Sequence, residues 1–148
     1  LRSSWVMGDG RNFARTMAAL SDRVADPGDP LGRVAVVDDQ LGRPTFTRDM
    51  AAAILHLLGS RAPYGTYDCT GSGRVASWAE VAREVFDLRN GNGDAVAPVS
   101  TAEYYAGAEG PVAPRPAHSA LDLSRLEATG FSMPDWEQSL GEYVRGLA

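Results

Sequence analysis

Hydrophobic residues recur along this chain at two spacings, and each change of spacing marks a change of element. Leu1 to Gly8 opens as the inside of a strand with no turn before it, so a truncated chain is expected, since domain edges ordinarily fall in polar linkers. Gly8-Asp9-Gly10 predicts a turn in which glycine permits positive φ. Asn12 can then cap a helix over residues 12–24, with Phe13, Met17, Leu20 and Val24 at helical spacing. The loop Asp26-Pro27-Gly28-Asp29-Pro30 follows, and the β-branched run Val34 to Val37 predicts a strand.

A second helix is expected over 47–58, with Met50, Ile54, Leu57 and Leu58 on one face and Gly59 as its stop. Residues 65–70 predict a strand, and Gly71-Ser72-Gly73 the turn after it. Ser77-Trp78-Ala79-Glu80 is a capping box that opens a helix over 77–88, with Val81, Val85 and Phe86 as its core stripe. A flexible loop at Asn90 to Asp94 precedes Val96-Ala97-Pro98-Val99. Residues 106–116, rich in Gly and Pro, should be loop. Leu121 to Thr129 predicts a short helix stopped by Gly130, and 135–147 a last helix carrying Trp136, Leu140, Tyr143 and Val144. Alternating strands and helices argue for an α/β class with at least some parallel pairing. Residues 1–148 are expected to form a single domain, or one lobe of a larger one.

Composition narrows what such a domain can do. A hydrophobic share of 44% over 148 residues suits a packed core rather than a disordered chain. The net charge of -5 argues against a nucleic-acid partner, although one or two Arg forks suffice to hold a diphosphate. All 14 basic residues are Arg, so no step needing a lysine can run inside these residues. Cys69 is the sole cysteine, which leaves no intrachain disulfide or thiolate metal cluster and fits a reducing, cytoplasmic setting. His56 and His118 have no ligand-like neighbours, so no metal is expected. No apolar run approaches the ~20 residues of a membrane span, and no signal-peptide pattern is present, so no membrane partner is expected.

Familiar catalytic patterns are absent. Gly71-Ser72-Gly73 meets Ala76 where a dinucleotide fingerprint needs its third glycine, and a Walker loop would need Lys. Three loops remain as candidates. In the first, Trp5 stands at a strand end before the Gly8 to Phe13 segment, either as a stacking face or as core. The second, Asp39-Gln40-x-Gly42-x-Pro44-Thr45, joins a side-chain amide able to read a pyrimidine edge to a glycine and a rigidifying proline, or is an ordinary loop. The third sets Arg115 between Pro114 and Pro116, near Ser119, as an anion fork or a surface charge.

Taken in order, these segments resemble one family. Leu1-Arg2-Ser3-Ser4-Trp5-Val6-x-Gly8 with Asn12-Phe13-x-x-Thr16-Met17, then Val36 through Thr45, are similar to dTDP-4-dehydrorhamnose reductases. So are Gly71-Ser72-Gly73 with Ser77-Trp78, Ser100-Thr101-Ala102-Glu103-Tyr104, Arg115 through Asp122, and Pro134-Asp135-Trp136. Met7 departs from the family's usual Tyr, and the loop from Tyr105 to Val112 is altered; both leave the sugar open.

The resemblance implies the C-terminal, substrate-binding lobe of an extended short-chain dehydrogenase (Rossmann-like), with the N-terminal cofactor region and its Tyr-x-x-x-Lys pair missing. It implies reduction of dTDP-4-dehydro-L-rhamnose to dTDP-L-rhamnose by NADPH (or NADH), bound mainly by that missing half, with no catalytic residue in these 148. Arg2, Ser3 and Ser4 are implied to run under the nicotinamide. Trp5, Asn12, Gln40, Gly42, Pro44, Thr45 and Arg115 are implied to enclose the dTDP-sugar. Expected partners are that sugar, the N-terminal Rossmann half and, through an exposed edge at Arg2 to Val6, further copies of the chain. The alternatives are a related nucleotide-sugar reductase or epimerase, and a non-catalytic regulatory relative that binds a partner protein.

Overall fold

A computed structural model describes residues 1–147. Its elements run β1 (Val6–Met7), α1 (Phe13–Ala25), β2 (Val34–Val37), β3 (Leu41–Gly42), β4 (Thr45–Phe46), α2 (Thr47–Gly59), β5 (Ala76–Ser77) and α3 (Trp78–Asn90). A 3-10 turn at Gly93–Ala95 leads into β6 (Val96–Val99), and α4 (Thr101–Tyr104), α5 (Ser124–Glu127) and α6 (Trp136–Arg145) complete the α/β chain. β2 lies parallel to β6 and β1 parallel to β4, while β3 pairs antiparallel with β5.

The helices α1, α3 and α6 start where side chains satisfy free backbone N–H groups, whereas α2 follows Phe46 with no side-chain cap. Asn12 accepts from the Arg15 N–H at 3.1 Å, and Ser77 and Glu80 complete a reciprocal box at 3.1 and 2.7 Å. Asp135 caps α6 through the Glu137 N–H. Inward stripes from α1, α3 and α6 then meet over β2. Met17, Val81, Val85, Phe86, Trp136, Leu140 and Val144 form one buried cluster. A second gathers Ala53, Tyr67, Cys69, Leu123, Leu126 and Met133.

Four expectations need correction. The strand expected from the first residues is interrupted: Trp5 takes φ 51°, and only Val6–Met7 continues as ladder. Arg2 instead makes a lone bridge to Asp68, which is also what remains of the strand expected over 65–70. The helix expected over Leu121 to Thr129 is one turn, because the Asp122 carboxylate takes the Ser124 N–H at 2.9 Å and delays its start. The face of α2 is rotated. Met50 and Leu57 pack inward, but Ile54 and Leu58 are exposed, while Asp49 and Ala53 are buried. Asp49 can be inside because Ser139 Oγ donates to it at 2.7 Å and Arg48 lies 3.3 Å away.

Candidate functional site

β2 ends in the Asp38 to Gly42 segment, and α3 begins beside it. Ser77 joins the two, donating its hydroxyl to Asp38 at 2.5 Å while capping α3. This sets Trp78, the first residue of α3, against Trp5. The two indoles stack at 3.8 Å between centroids and 16° between planes, and Phe13 leans on Trp78 at 4.4 Å.

The aromatic group borders a cavity of about 500 Å³ floored by Ala35, Val36 and Val37 of β2. Gln40, Tyr104, Tyr105, Arg115, Pro116 and Ser119 line its other sides. Most of the wall is apolar, with a few polar groups and one guanidinium, the make-up of a small-molecule site. Ser119 is held in place through its backbone: its N–H donates to Leu41 at 2.7 Å, and its carbonyl accepts the Ser4 hydroxyl at 2.8 Å.

α4 hangs from the same segment. The Thr101 N–H donates to both Asp39 carboxylate oxygens at 3.0 Å, and the Thr101 hydroxyl donates to one of them at 2.5 Å. Gln40 Nε2 in turn donates to the Thr101 hydroxyl at 3.0 Å. The Thr101 hydroxyl bond is the main reason the Asp39 carboxyl is held below the usual carboxylate range.

Of the residues singled out in the sequence, Trp5, Gln40 and Arg115 meet at this cavity, with Pro116 and Ser119 from the same loop as Arg115. The others are placed around it rather than in it. Asn12 caps α1 and donates to Gly8 and Tyr143 at 2.7 Å each. Gly42 lies under the Trp5 ring, where a Cβ would come within 2.7 Å of the indole. Thr45 is fully buried and donates to the Ser4 carbonyl at 2.8 Å; Pro44 is buried beside it. Arg2 pairs with Asp68 at 3.0 Å, and Ser3 Oγ is enclosed with no hydrogen-bond partner among the described residues. Phe13, Trp78, Tyr104 and Tyr105 also line the cavity; in the sequence Phe13 and Trp78 stood out as helix residues, and none of the four as a ligand contact. Among the described residues, no group of three His, Cys, Asp or Glu side chains is placed to hold a metal, and no helix is long and apolar enough to cross a membrane.

Comparison with known proteins places this arrangement. The chain is 37% identical to the dTDP-4-dehydrorhamnose reductase of Sinorhizobium fredii, over 99% of this chain and 49% of that protein. It is 35% identical to the spore coat polysaccharide biosynthesis protein SpsK of Bacillus subtilis, over 98% and 46%. The chain thus spans about half the length of the curated relatives it matches. A dTDP-4-dehydrorhamnose reductase structure from Clostridium acetobutylicum superposes with a TM-score of 0.80 at 35% identity, covering 97% of this chain and 46% of that one. The one from Bacillus anthracis, solved in complex with NADP, gives 0.77 at 31%, covering 99% and 47%. The model of the RmlD substrate binding domain matches residues 1–148, and the chain belongs to that family.

Proposed function

We propose that residues 1–148 act as one unit, the substrate-binding part of an NADPH-dependent reductase of dTDP-4-dehydro-L-rhamnose. The observation that carries this is the cavity itself, where the Trp5–Trp78 stack, the Gln40 amide and the Arg115 fork share one wall-to-wall space. A pyrimidine base lies against the aromatic group, gaining about 1–3 kcal/mol from stacking. Arg115 faces the diphosphate, to which its planar fork offers two parallel N–H donors. Held at both ends, the sugar is presented with its C4 ketone in one orientation, and such positioning can carry a large share of a rate enhancement.

Reduced nicotinamide supplies the hydride when bound, and the acid/base pair lies outside these residues, which contain no lysine. Arg2, Ser3 and Ser4 brace the segment beneath the cofactor rather than grasp it. The Arg2 guanidinium is committed to Asp68, the Ser4 hydroxyl to the Ser119 carbonyl, and the Ser3 hydroxyl is enclosed.

The remaining half of the full-length protein covers the outer face of α2. Leu55 and Leu58 are 71% and 73% exposed there, one turn apart and next to the partly exposed Ile54. The half-length coverage of the relatives leaves a segment of suitable size for that role.

The test is NADPH oxidation by the full-length protein with dTDP-4-dehydro-L-rhamnose, with dTDP-L-rhamnose identified as product. The 148-residue chain alone should be silent in the same assay. Absence of both turnover and dTDP binding in the full-length protein would overturn the assignment.

A further inference from the structure

The geometry points to Thr101 as a positioning residue that fixes which end of the Gln40 amide meets the ligand, and so favours thymine or uracil over cytosine; this rests on the dTDP-sugar reading above. The argument is one of hydrogen-bond polarity. Asp39 takes the single Thr101 N–H on both its oxygens as well as the Thr101 hydroxyl, the pattern of an ionised carboxylate with acceptors only. The Thr101 hydroxyl has one proton, and it points to Asp39 at 2.5 Å. What Thr101 offers Gln40 is therefore a lone pair, and the amide must turn its NH2 toward it, as it does at 3.0 Å.

Gln40 Oε1 is then the end left for the cavity, and no hydrogen bond reaches it among the described residues. An amide free to rotate presents a donor or an acceptor as the ligand requires. One held by Thr101 presents an acceptor. Thymine and uracil carry an N–H at N3 to meet it, whereas cytosine in the same pose sets its N3 lone pair against Oε1, and its N4 amino group reaches that oxygen only if the base shifts along its edge; keeping the pose requires the amide to turn over. The relay prevents that turn. Thr101 also opens α4, which brings Tyr104 and Tyr105 to the same cavity, so base selection and cavity wall depend on one residue.

The experiment compares dUDP with dCDP, which lack the thymine methyl and differ only at the 3,4 edge, by calorimetry on the full-length protein. The wild type should favour dUDP by about tenfold or more, the scale set by one mismatched hydrogen bond. Thr101→Val keeps the side-chain shape and the backbone N–H contact to Asp39, and should cut that ratio to about threefold or less. Thr101→Ser should restore the preference. Equal binding of the two nucleotides by the wild type, or an unchanged ratio in Thr101→Val, overturns the relay while leaving the substrate assignment standing. Failure of dTDP, dUDP and dCDP alike to bind the wild type overturns the substrate assignment and the relay with it.

Discussion

The Trp5 indole is clamped between Trp78, stacked 3.8 Å away, and Gly42, whose missing side chain leaves room for the ring. Trp5 itself adopts φ 51°, a left-handed conformation that a bulky residue takes only when its surroundings impose it. Gly42 thus serves the protein's own aromatic group, which in turn forms a wall of the cavity.

Gly42→Ala should displace that ring. Its Cβ would meet the indole 2.7 Å away with Trp78 behind it. Overpacking of this kind costs about 1–3 kcal/mol. The expected signs are a changed near-ultraviolet circular dichroism band and at least about a tenfold loss of dTDP affinity. Unchanged spectra and affinity would show that the ring moves aside freely.

Arg115→Ala should weaken dTDP binding to the full-length protein by roughly 1.5–3 kcal/mol, the worth of a hydrogen bond to a charged group. Arg115→Lys keeps the charge without the fork and should recover part of the loss. Equal dTDP affinity in wild type and Arg115→Ala, measured at two salt concentrations, would make Arg115 a bystander at the cavity mouth.

The exposed pair on α2 should make the 148-residue chain sticky when expressed by itself. It should bind a hydrophobic dye and self-associate in sedimentation, and Leu55→Glu with Leu58→Glu should suppress both, since neither side chain is buried in the chain itself. A clean monomer with low dye binding would count against a covered face.

Trp136→Ala should be the costliest single truncation in the core. The side chain is fully buried, its Nε1 donates to the Arg74 carbonyl at 2.8 Å, and its ring carries the Arg74 guanidinium. A loss of about 3–5 kcal/mol is expected in denaturant unfolding. A loss under about 1 kcal/mol would mean that the core collapses around the gap.

Acid should destabilise the fold in one direction only. Asp22 is held below its ordinary range chiefly by its hydrogen bond from Arg89, Asp29 by Arg23, Asp39 by Thr101 and Glu142 by Arg48. Each folded-state value is lower than the unfolded one, so the stability these groups add is complete above the unfolded value and drains as pH falls through the folded value. Thermal melts should hold steady from about pH 7 to pH 5 and fall below about pH 4. A melting temperature unchanged at about pH 3 would show these contacts to be idle in solution.

The amino-acid sequence by itself determined the three helices that hold the main cluster, α1, α3 and α6, together with the starts of α1 and α3. The reason is that caps and apolar periodicity act within a few residues: Asn12 with Arg15, Ser77 with Glu80, Val81 with Val85. It also marked Trp5, Gln40 and Arg115, as unusual residue types in loops. Tertiary structure alone decided the face of α2, because a carboxylate such as Asp49 enters a core only when a partner like Ser139, 90 residues away, is brought to it. It decided the break at Trp5 as well, where a left-handed backbone accompanies an indole packed on Trp78 and Gly42, both distant in the sequence. The polarity of Gln40 is of the same kind. An amide is symmetric in the sequence, with a donor and an acceptor of equal standing, and only the Thr101 lone pair, 61 residues on, turns one toward the protein and leaves the other for a ligand.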